Sequence, residues 1–406
     1  MPSAAAPPQT ALTRIPRSVW ALGLVSLFMD VSSEMIHALL PVFLVTVLGA
    51  SVTAVGFLEG IAEATASITK VFSGALSDRL GKRKLLIVIG YSLAAFTKPL
   101  IAIAPSVSWV FAARFADRIG KGIRGAPRDA LIAELTPAKI RGASFGLRQT
   151  LDTVGAFAGP LLAIALMAIT NDQFRTVFWL AVVPAMAAVL LLVVFVREPA
   201  REGPQAVRPP LKLMLGGFDR CYWWLVIVAA LFTLARFSEA FLVLKAADAG
   251  LAVALVPLVL VVMNVAYALS AYPAGWLSDR VSRWAVLGAG SVLLIAADLV
   301  LAWNDTIPLT MLGIAIWGLH MGFTQGLFAA LVADASNAEQ RGTAFGVFNF
   351  VSGIALLAAS VLAGILWDRY GSEGTFVASA ALTALAGVVA LVLYAAGELQ
   401  RAPANR

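Results

Sequence analysis

Acidic and basic side chains recur at helical spacing inside long apolar stretches, and the chemistry available to them is proton transfer and ion pairing. Asp30, Glu34 and His37 stand at i, i+4 and i+7, on one face of a helix. Glu59, Glu63, Ser67 and Lys70 repeat the pattern, as do Arg114, Asp117, Arg118 and Lys121. Arg148 and Asp152 share a face with Gly155 and Gly159, and Lys98 precedes Pro99. A carboxylate held beside an arginine in a poorly solvated place can take a proton in one conformation and release it in another. Asp30, Glu34, Glu59, Glu63, Arg118 and Asp152 are therefore the candidate proton-coupling residues. At 1.5 Å per residue, Asp30, Glu63, Arg118 and Asp152 fall near the middle of their stretches, with Glu59 nearer one end. The competing reading is a permanent ion-pair network that ties the helices together.

The elements that position these residues are membrane-spanning helices. Hydrophobic residues make up 60% of the 406 and charged residues only 13%, about half the charge of an ordinary soluble domain. Such a surface must face lipid. A span needs roughly 20 apolar residues, and twelve fit: about 19–47, 54–77, 84–104, 107–127, 140–169, 176–196, 221–244, 251–274, 284–303, 309–334, 342–367 and 374–396. The stretches are unbroken rather than alternating, which excludes a transmembrane barrel. A charge at the bilayer centre costs about 2.5–3.5 kcal/mol on insertion scales, so the charged stripes must face a bundle interior or an aqueous cavity.

With both ends of the chain inside, the inner segments hold twenty lysines and arginines, against Arg175, Lys245 and Arg369 outside. That asymmetry fixes an orientation with cytoplasmic termini. The formal charge of +7 thus records topology and attraction to anionic lipid, not a nucleic-acid partner. The first apolar run, lacking a clear small-residue cleavage site, reads as a retained helix. The single cysteine, Cys221, excludes an intramolecular disulfide and a cysteine metal cluster. No nucleotide-binding G-x-x-x-x-G-K-[ST] stretch occurs. ATP-driven pumping, a membrane enzyme and a bound cofactor are not expected.

The chain repeats itself. Gly74-Ala-Leu-Ser-Asp78-Arg79 recurs as Gly275-Trp-Leu-Ser-Asp279-Arg280, and Arg141-Gly-Ala-Ser-Phe-Gly146 as Arg341-Gly-Thr-Ala-Phe-Gly346. Offsets of 201 and 200 make the halves parallel repeats of six helices, an architecture that encloses a midplane site. The expected organisation is a tail at 1–18, a bundle at 19–196, a Pro- and charge-rich linker at 197–220, a bundle at 221–396 and a tail at 397–406.

These features together resemble the major facilitator superfamily over essentially the whole chain. Gly74-Ala-Leu-Ser-Asp78-Arg79-Leu-Gly81-Lys82-Arg83-Lys84 resembles the superfamily's loop signature between the second and third helices. The resemblance implies a conformational latch formed by Gly74, Asp78, Arg79, Gly81 and Arg83, with Asp279 and Arg280 as its weaker second copy. Asp78 is then expected to face the N-terminus of helix 11, with the basic cluster near lipid headgroups. Gly155-Ala-Phe-Ala-Gly159-Pro160 is similar to the antiporter signature of the proton-linked drug exporters, and Arg118-Ile-Gly-Lys121-Gly122 to the fourth-helix arginine signature. Ser32-Ser33-Glu34 and the run from Asp117 to Asp129 resemble a bacterial branch consisting mostly of inferred exporters.

In that superfamily the first and fourth helices of each half line the cavity, which places His37, Arg114, Trp317 and His320 there, with Phe237, Asn264, Gln325 and Asn349. The implied function is proton-coupled export, by antiport and alternating access, of a small amphipathic organic solute across the bacterial inner membrane by a monomer. The alternatives are proton-coupled uptake of a metabolite and transition-metal export, the last resting on His37 and His320 with Met35 and Met321 close by. The N-half would handle protons and the C-half much of the substrate contact. If Asp78 latches helix 11, Asp78→Asn raises cysteine labelling from the side of the termini, and unchanged labelling there excludes the latch.

Overall fold

A computed structural model describes residues 15–80, 82–137, 140–198, 218–278, 280–336 and 341–399. Gly81, Asp279, most of both expected tails and most of the linker expected at 197–220 lie outside the described residues. Among the described residues twelve helices cross: α1 Arg17–Val47, α2 Val52–Leu80, α3 Arg83–Ala102, α4 Val107–Leu135, α5 Arg141–Ile169, α6 Phe174–Phe195, α7 Arg220–Asp248, α8 Val253–Ser278, α9 Arg283–Ala302, α10 Ile307–Asp334, α11 at 341–370 and α12 at 372–395. In hydrocarbon only a helix satisfies its own backbone hydrogen bonds, which is why each long apolar stretch adopts one.

Among the described residues, nine helical segments are long and apolar enough to cross a membrane. The last of them, Thr343–Ala395, is α11 and α12 joined at Gly371 (φ 72°, ψ −173°), a left-handed backbone that glycine adopts without strain. Missing from the nine are α2 and α4, each 29 residues long, whose charged stripes dilute their apolarity. Large side chains exposed on the outside, such as Phe96, Val183, Leu190, Val292 and Leu391, form a lipid-facing surface.

The two halves share their internal construction. In the first, α1 packs on α5 and α6, and α4 on α2 and α3; in the second, α10 packs on α8 and α9, and α7 on the α11–α12 segment. The repeat reaches single contacts. Arg83 at the start of α3 pairs with Glu134 at the end of α4 at 2.8 Å, and Arg283 pairs with Asp334 at the corresponding ends of α9 and α10. The first helix of each half is also interrupted at an equivalent point, α1 at residues 38–39 and α7 at residues 236–239.

Between the bundles the seams are unequal. The terminal face is where α1 begins and α12 ends; the far face lies opposite. At the far face α2 and α11 are in backbone contact: a Cβ built at Gly364 would lie 2.6 Å from Thr53 Cα, and one at Gly56 only 2.1 Å from the Ser360 carbonyl oxygen. Toward the terminal face the same seam opens, with 3.4 Å from Gly353 to Ser67 and 4.0 Å from Gly346 to Val71. An apolar core containing Val31, Met35 and Phe43 from one half and Phe241, Met263 and Trp367 from the other fills the far end.

Within the second bundle, α10 approaches α8 so closely that a Cβ at Gly318 would meet the Met263 carbonyl oxygen at 2.3 Å. Overpacking of this kind costs about 1–3 kcal/mol. Gly318→Leu therefore lowers the melting temperature of the purified protein, whereas Gly326→Leu, in open space, leaves it unchanged.

Candidate functional site

The charged stripes converge where α1, α2, α4 and α5 meet. Their deepest part is a chain of matched charges. Arg114 on α4 donates to Glu59 on α2 at 3.3 Å and stands 2.9 Å from His37 Nδ1 on α1. Its other guanidinium nitrogen lies 3.8 Å from Asp117, one turn on, and Asp117 accepts from Lys98 of α3 at 3.0 Å. Lys98 also donates to Ser33 of α1 at 3.0 Å. Glu59, Lys98, Arg114 and Asp117 are all buried. Arg118 closes the set, pairing with Glu63 at 3.1 Å and approaching Asp117 at 3.9 Å. Three acids and three bases match within this cluster, so α2, α3 and α4 are joined by paired rather than lone charges, and α1 is attached through His37 and Ser33.

Next to this network a cavity of about 750 Å³ opens between the bundles. Asp30, Glu34, Glu63 and Asp152 border it. Among the described residues, no hydrogen bond or ion pair within 4 Å engages the Asp30 and Glu34 carboxylates. Asp152 accepts from Arg148 at 2.5 Å through one oxygen while its other, Oδ1, is buried without a partner among the described residues. Glu59 and Arg118 sit behind the cavity wall in the paired network. Phe157 and Leu161 of α5 and Val265 and Tyr267 of α8 also line it. The cavity thus has both charged and apolar lining.

The glycines of α5 place the two unpaired acids. A Cβ at Gly155 would lie 2.7 Å from the Leu27 carbonyl oxygen and 3.0 Å from Asp30 Cβ; one at Gly159 would lie 2.6 Å from Glu34 Cβ. With only hydrogen in those positions, α5 lies directly against α1 and fixes where both carboxyl groups enter the cavity. Pro160 follows within the same helix, buried.

Several expectations are corrected. The fourth span does not end near residue 127: α4 continues through Pro127 to Leu135, so Arg124 and Arg128 are helical, not loop cations, and both line the cavity. Arg124 lies over the Tyr91 ring at 4.4 Å, and Arg128 bonds Ser26 at 2.5 Å. The signal was present, because 114, 117, 118, 121, 124 and 128 continue one stripe.

Of the eight positions expected around the substrate, only Asn264 borders the cavity. His37 and Arg114 belong to the buried network. Phe237 stacks with Phe241 and Phe376 at 5.1 and 5.4 Å in the apolar core at the far end, where the interruption of α7 places it. Trp317 is buried with Arg236 over its ring, and His320 is held by the Gly290 carbonyl at 2.8 Å. Gln325 is half-buried and Asn349 exposed. The wall contributed by the second half comes from α8, and most of the cavity belongs to the first. His37 and His320 are engaged in separate networks, and no group of three His, Cys, Asp or Glu converges among the described residues.

In the loop signature, Gly74 packs on Ala126 of α4, and Asp78 and Arg79 occupy the last turn of α2; their side chains, with Gly81 and Asp279, lie outside the described residues. Arg83 and Lys84 make protein contacts instead of reaching lipid: Arg83 pairs with Glu134, and Lys84 donates to the Val193 carbonyl. Arg280 lies over the Trp276 ring.

A family model described as Major Facilitator Superfamily matches residues 22–245 and again 225–405. An uncharacterized MFS-type transporter of Methanocaldococcus jannaschii is 32% identical over 93% of this chain and 95% of its own. Multidrug resistance protein 1 of Bacillus subtilis is 24% identical over 78% of this chain and 81% of its own. A crystal structure of the nucleoside transporter NupG, in a mutant form, shares the fold at a TM-score of 0.79 and 12% identity, over 93% of this chain and all of that one.

Arg118 joins the buried network to the cavity through Glu63. Arg118→Ala strands that carboxylate and abolishes transport by the reconstituted protein while expression stays near normal. Wild-type flux from the purified variant contradicts the assignment.

Proposed function

The chain belongs to the Major Facilitator Superfamily, and from that premise we propose that it is a proton-coupled antiporter exporting a small amphipathic organic solute by alternating access. It acts as a monomer in the bacterial inner membrane, with both termini cytoplasmic. The observation that carries the reading is the contrast within the site: six charges are matched in the buried network, while Asp30 and Glu34 border the cavity with no ion partner among the described residues. An unmatched carboxylate in a cavity that changes sides is a carrier for a proton. Loaded, it is neutral and the cavity can close around it; unloaded, it leaves a charge to be neutralised by solute or by the cations nearby. The combination of charged and apolar lining suits an amphipathic solute. The terminal face, open in this structure, is then the cytoplasmic one, where solute enters and the proton leaves.

Uptake is the second reading, and it has its own observation. Lys70, Lys121 and Arg124 also line the cavity and have no carboxylate within 4 Å among the described residues, which suits an anionic metabolite entering together with a proton. Proteoliposomes separate the two: with acid outside, antiport expels a preloaded solute and symport accumulates it. No metal site among the described residues supports the third possibility.

The coupling site is tested by neutralising Asp30, Glu34, Glu59 and Glu63 singly to the amide. At least one variant, Asp30→Asn or Glu34→Gln on the geometry above, loses gradient-driven transport of a fluorescent amphipathic dye yet keeps dye binding and counterflow exchange. If all four still drive the dye against its gradient at wild-type rates, the coupling site lies elsewhere.

A further inference from the structure

The loop signature has a third copy that lies outside the 200-residue offset. Gly74-Ala-Leu-Ser-Asp78-Arg79-Leu-Gly81 ends α2, and Gly364-Ile-Leu-Trp-Asp368-Arg369-Tyr-Gly371 ends α11. Both read G-x-L-x-D-R-x-G. The repeat period of 200 or 201 relates α2 to α8 and α5 to α11, whereas a copy at the end of α11 is the place a nested three-helix inverted repeat within each half gives it. What α2 and α11 share is position: they face each other across the inter-bundle seam, with their C-terminal ends on opposite faces of the molecule.

At the far face the geometry of this third copy is explicit. The Asp368 carboxylate accepts the backbone N–H of Val52 at 3.1 Å through one oxygen and that of Thr53 at 3.0 Å through the other. A helix begins with four N–H groups that have no partner inside it. In α2 the third, of Ala54, bonds Ser51 Oγ, and the fourth, of Val55, bonds the Ser51 carbonyl. The first two are satisfied from the opposite bundle. Elsewhere the protein uses such a cap inside a bundle: Glu198, just beyond α6, accepts from Arg83 N and Lys84 N at the start of α3. That pair moves as one body, whereas Asp368 and Val52 belong to different bodies.

Neighbouring contacts hold Asp368 in place. One turn earlier, Gly364 admits α2 to within backbone contact. Three residues later, Gly371 turns the chain in its left-handed conformation, and Ser372 is bonded by the buried Lys245 ammonium, which also pairs with Asp305 at 2.8 Å. Lys245 thereby ties the ends of α7, α9 and α12 to the turn, and it holds the Asp305 carboxyl below its ordinary range.

We propose that Asp368 is a positioning residue for transport: a far-face latch that holds the bundles closed there by capping α2 across the seam, and that releases when the far face opens. In this structure it is engaged while the terminal end of the same seam stands apart, as a two-position device requires. The proposal depends on the seam between α2 and α11 opening and closing, not on the substrate, the proton or the direction of transport.

The test uses the full-length protein in nanodiscs, carrying Cys221→Ser and one reporter cysteine at a time, with a soluble maleimide as probe. Ser360→Cys reports the far end of the seam, where Ser360 is buried; Ser67→Cys, beside the cavity, reports the terminal end. Asp368→Ala raises the Ser360→Cys labelling rate roughly five-fold, equivalent to about 1 kcal/mol at 1.4 kcal/mol per factor of ten, the usual size of a lost helix cap. It lowers labelling of Ser67→Cys, because opening one end closes the other. Asp368→Asn keeps an acceptor and gives a smaller rise. General loosening of the fold raises both rates. Unchanged rates, or rates raised at both ends, overturn the proposal.

Discussion

The buried chain Glu59–Arg114–Asp117–Lys98 expresses the constraint on which the rest depends: inside a bilayer, a charge must meet its opposite or reach water. The chain takes one member from α2, two from α4 and one from α3, and it reaches α1 through His37 and Ser33. Removing any one member would leave a buried charge without its match, a change that costs about 3–5 kcal/mol where measured. The same matching defines the site. Once these charges are satisfied among themselves, the Asp30 and Glu34 carboxylates are left at the cavity without an ion partner among the described residues. Under the proposed function, stability and responsiveness fall to different residues of one charged interior.

Two kinds of close helix contact complete the design. Between α1 and α5, Gly155 and Gly159 give close contact within one bundle, and that contact fixes where the acids stand. Between α2 and α11 the contact tapers from one face of the protein to the other, so the bundles meet tightly only at the far end. A rigid bundle carrying the charges and a seam that can part at either end are the two mechanical elements that alternating access needs.

The spans and the charged stripes could be read from sequence because both follow from local rules: apolar length and a 3.6-residue period. The duplication likewise showed itself as two motifs at one offset. Partners were harder. Period places Glu63 and Arg118 on inward faces but does not say that they meet, or that Arg114 rather than Arg118 holds Glu59. Arg124 and Arg128 were counted among the cations of the inner segments, whereas α4 continues through Gly125 and Pro127 to Leu135. Phe237, Trp317 and His320 were assigned to the cavity chiefly from the superfamily's cavity-lining helices. In the structure Phe237 lies in the apolar core, Trp317 is buried under Arg236 and His320 is held by the Gly290 carbonyl. Asp368 stood in a legible copy of the loop signature, but its partner, a helix start more than 300 residues away, was not legible.

The uneven distribution of charge also bears on how the polypeptide enters the membrane during synthesis. Most of the second half consists of helices apolar enough to partition into lipid on their own. By the same measure α2 and α4 fall short, and their acids and bases lose their insertion penalty only against each other and against α3. Inserted as a pair, α2 and α4 avoid a penalty that each would carry alone. A substitution such as Glu59→Gln therefore bears on that pairing during insertion as well as on the finished network.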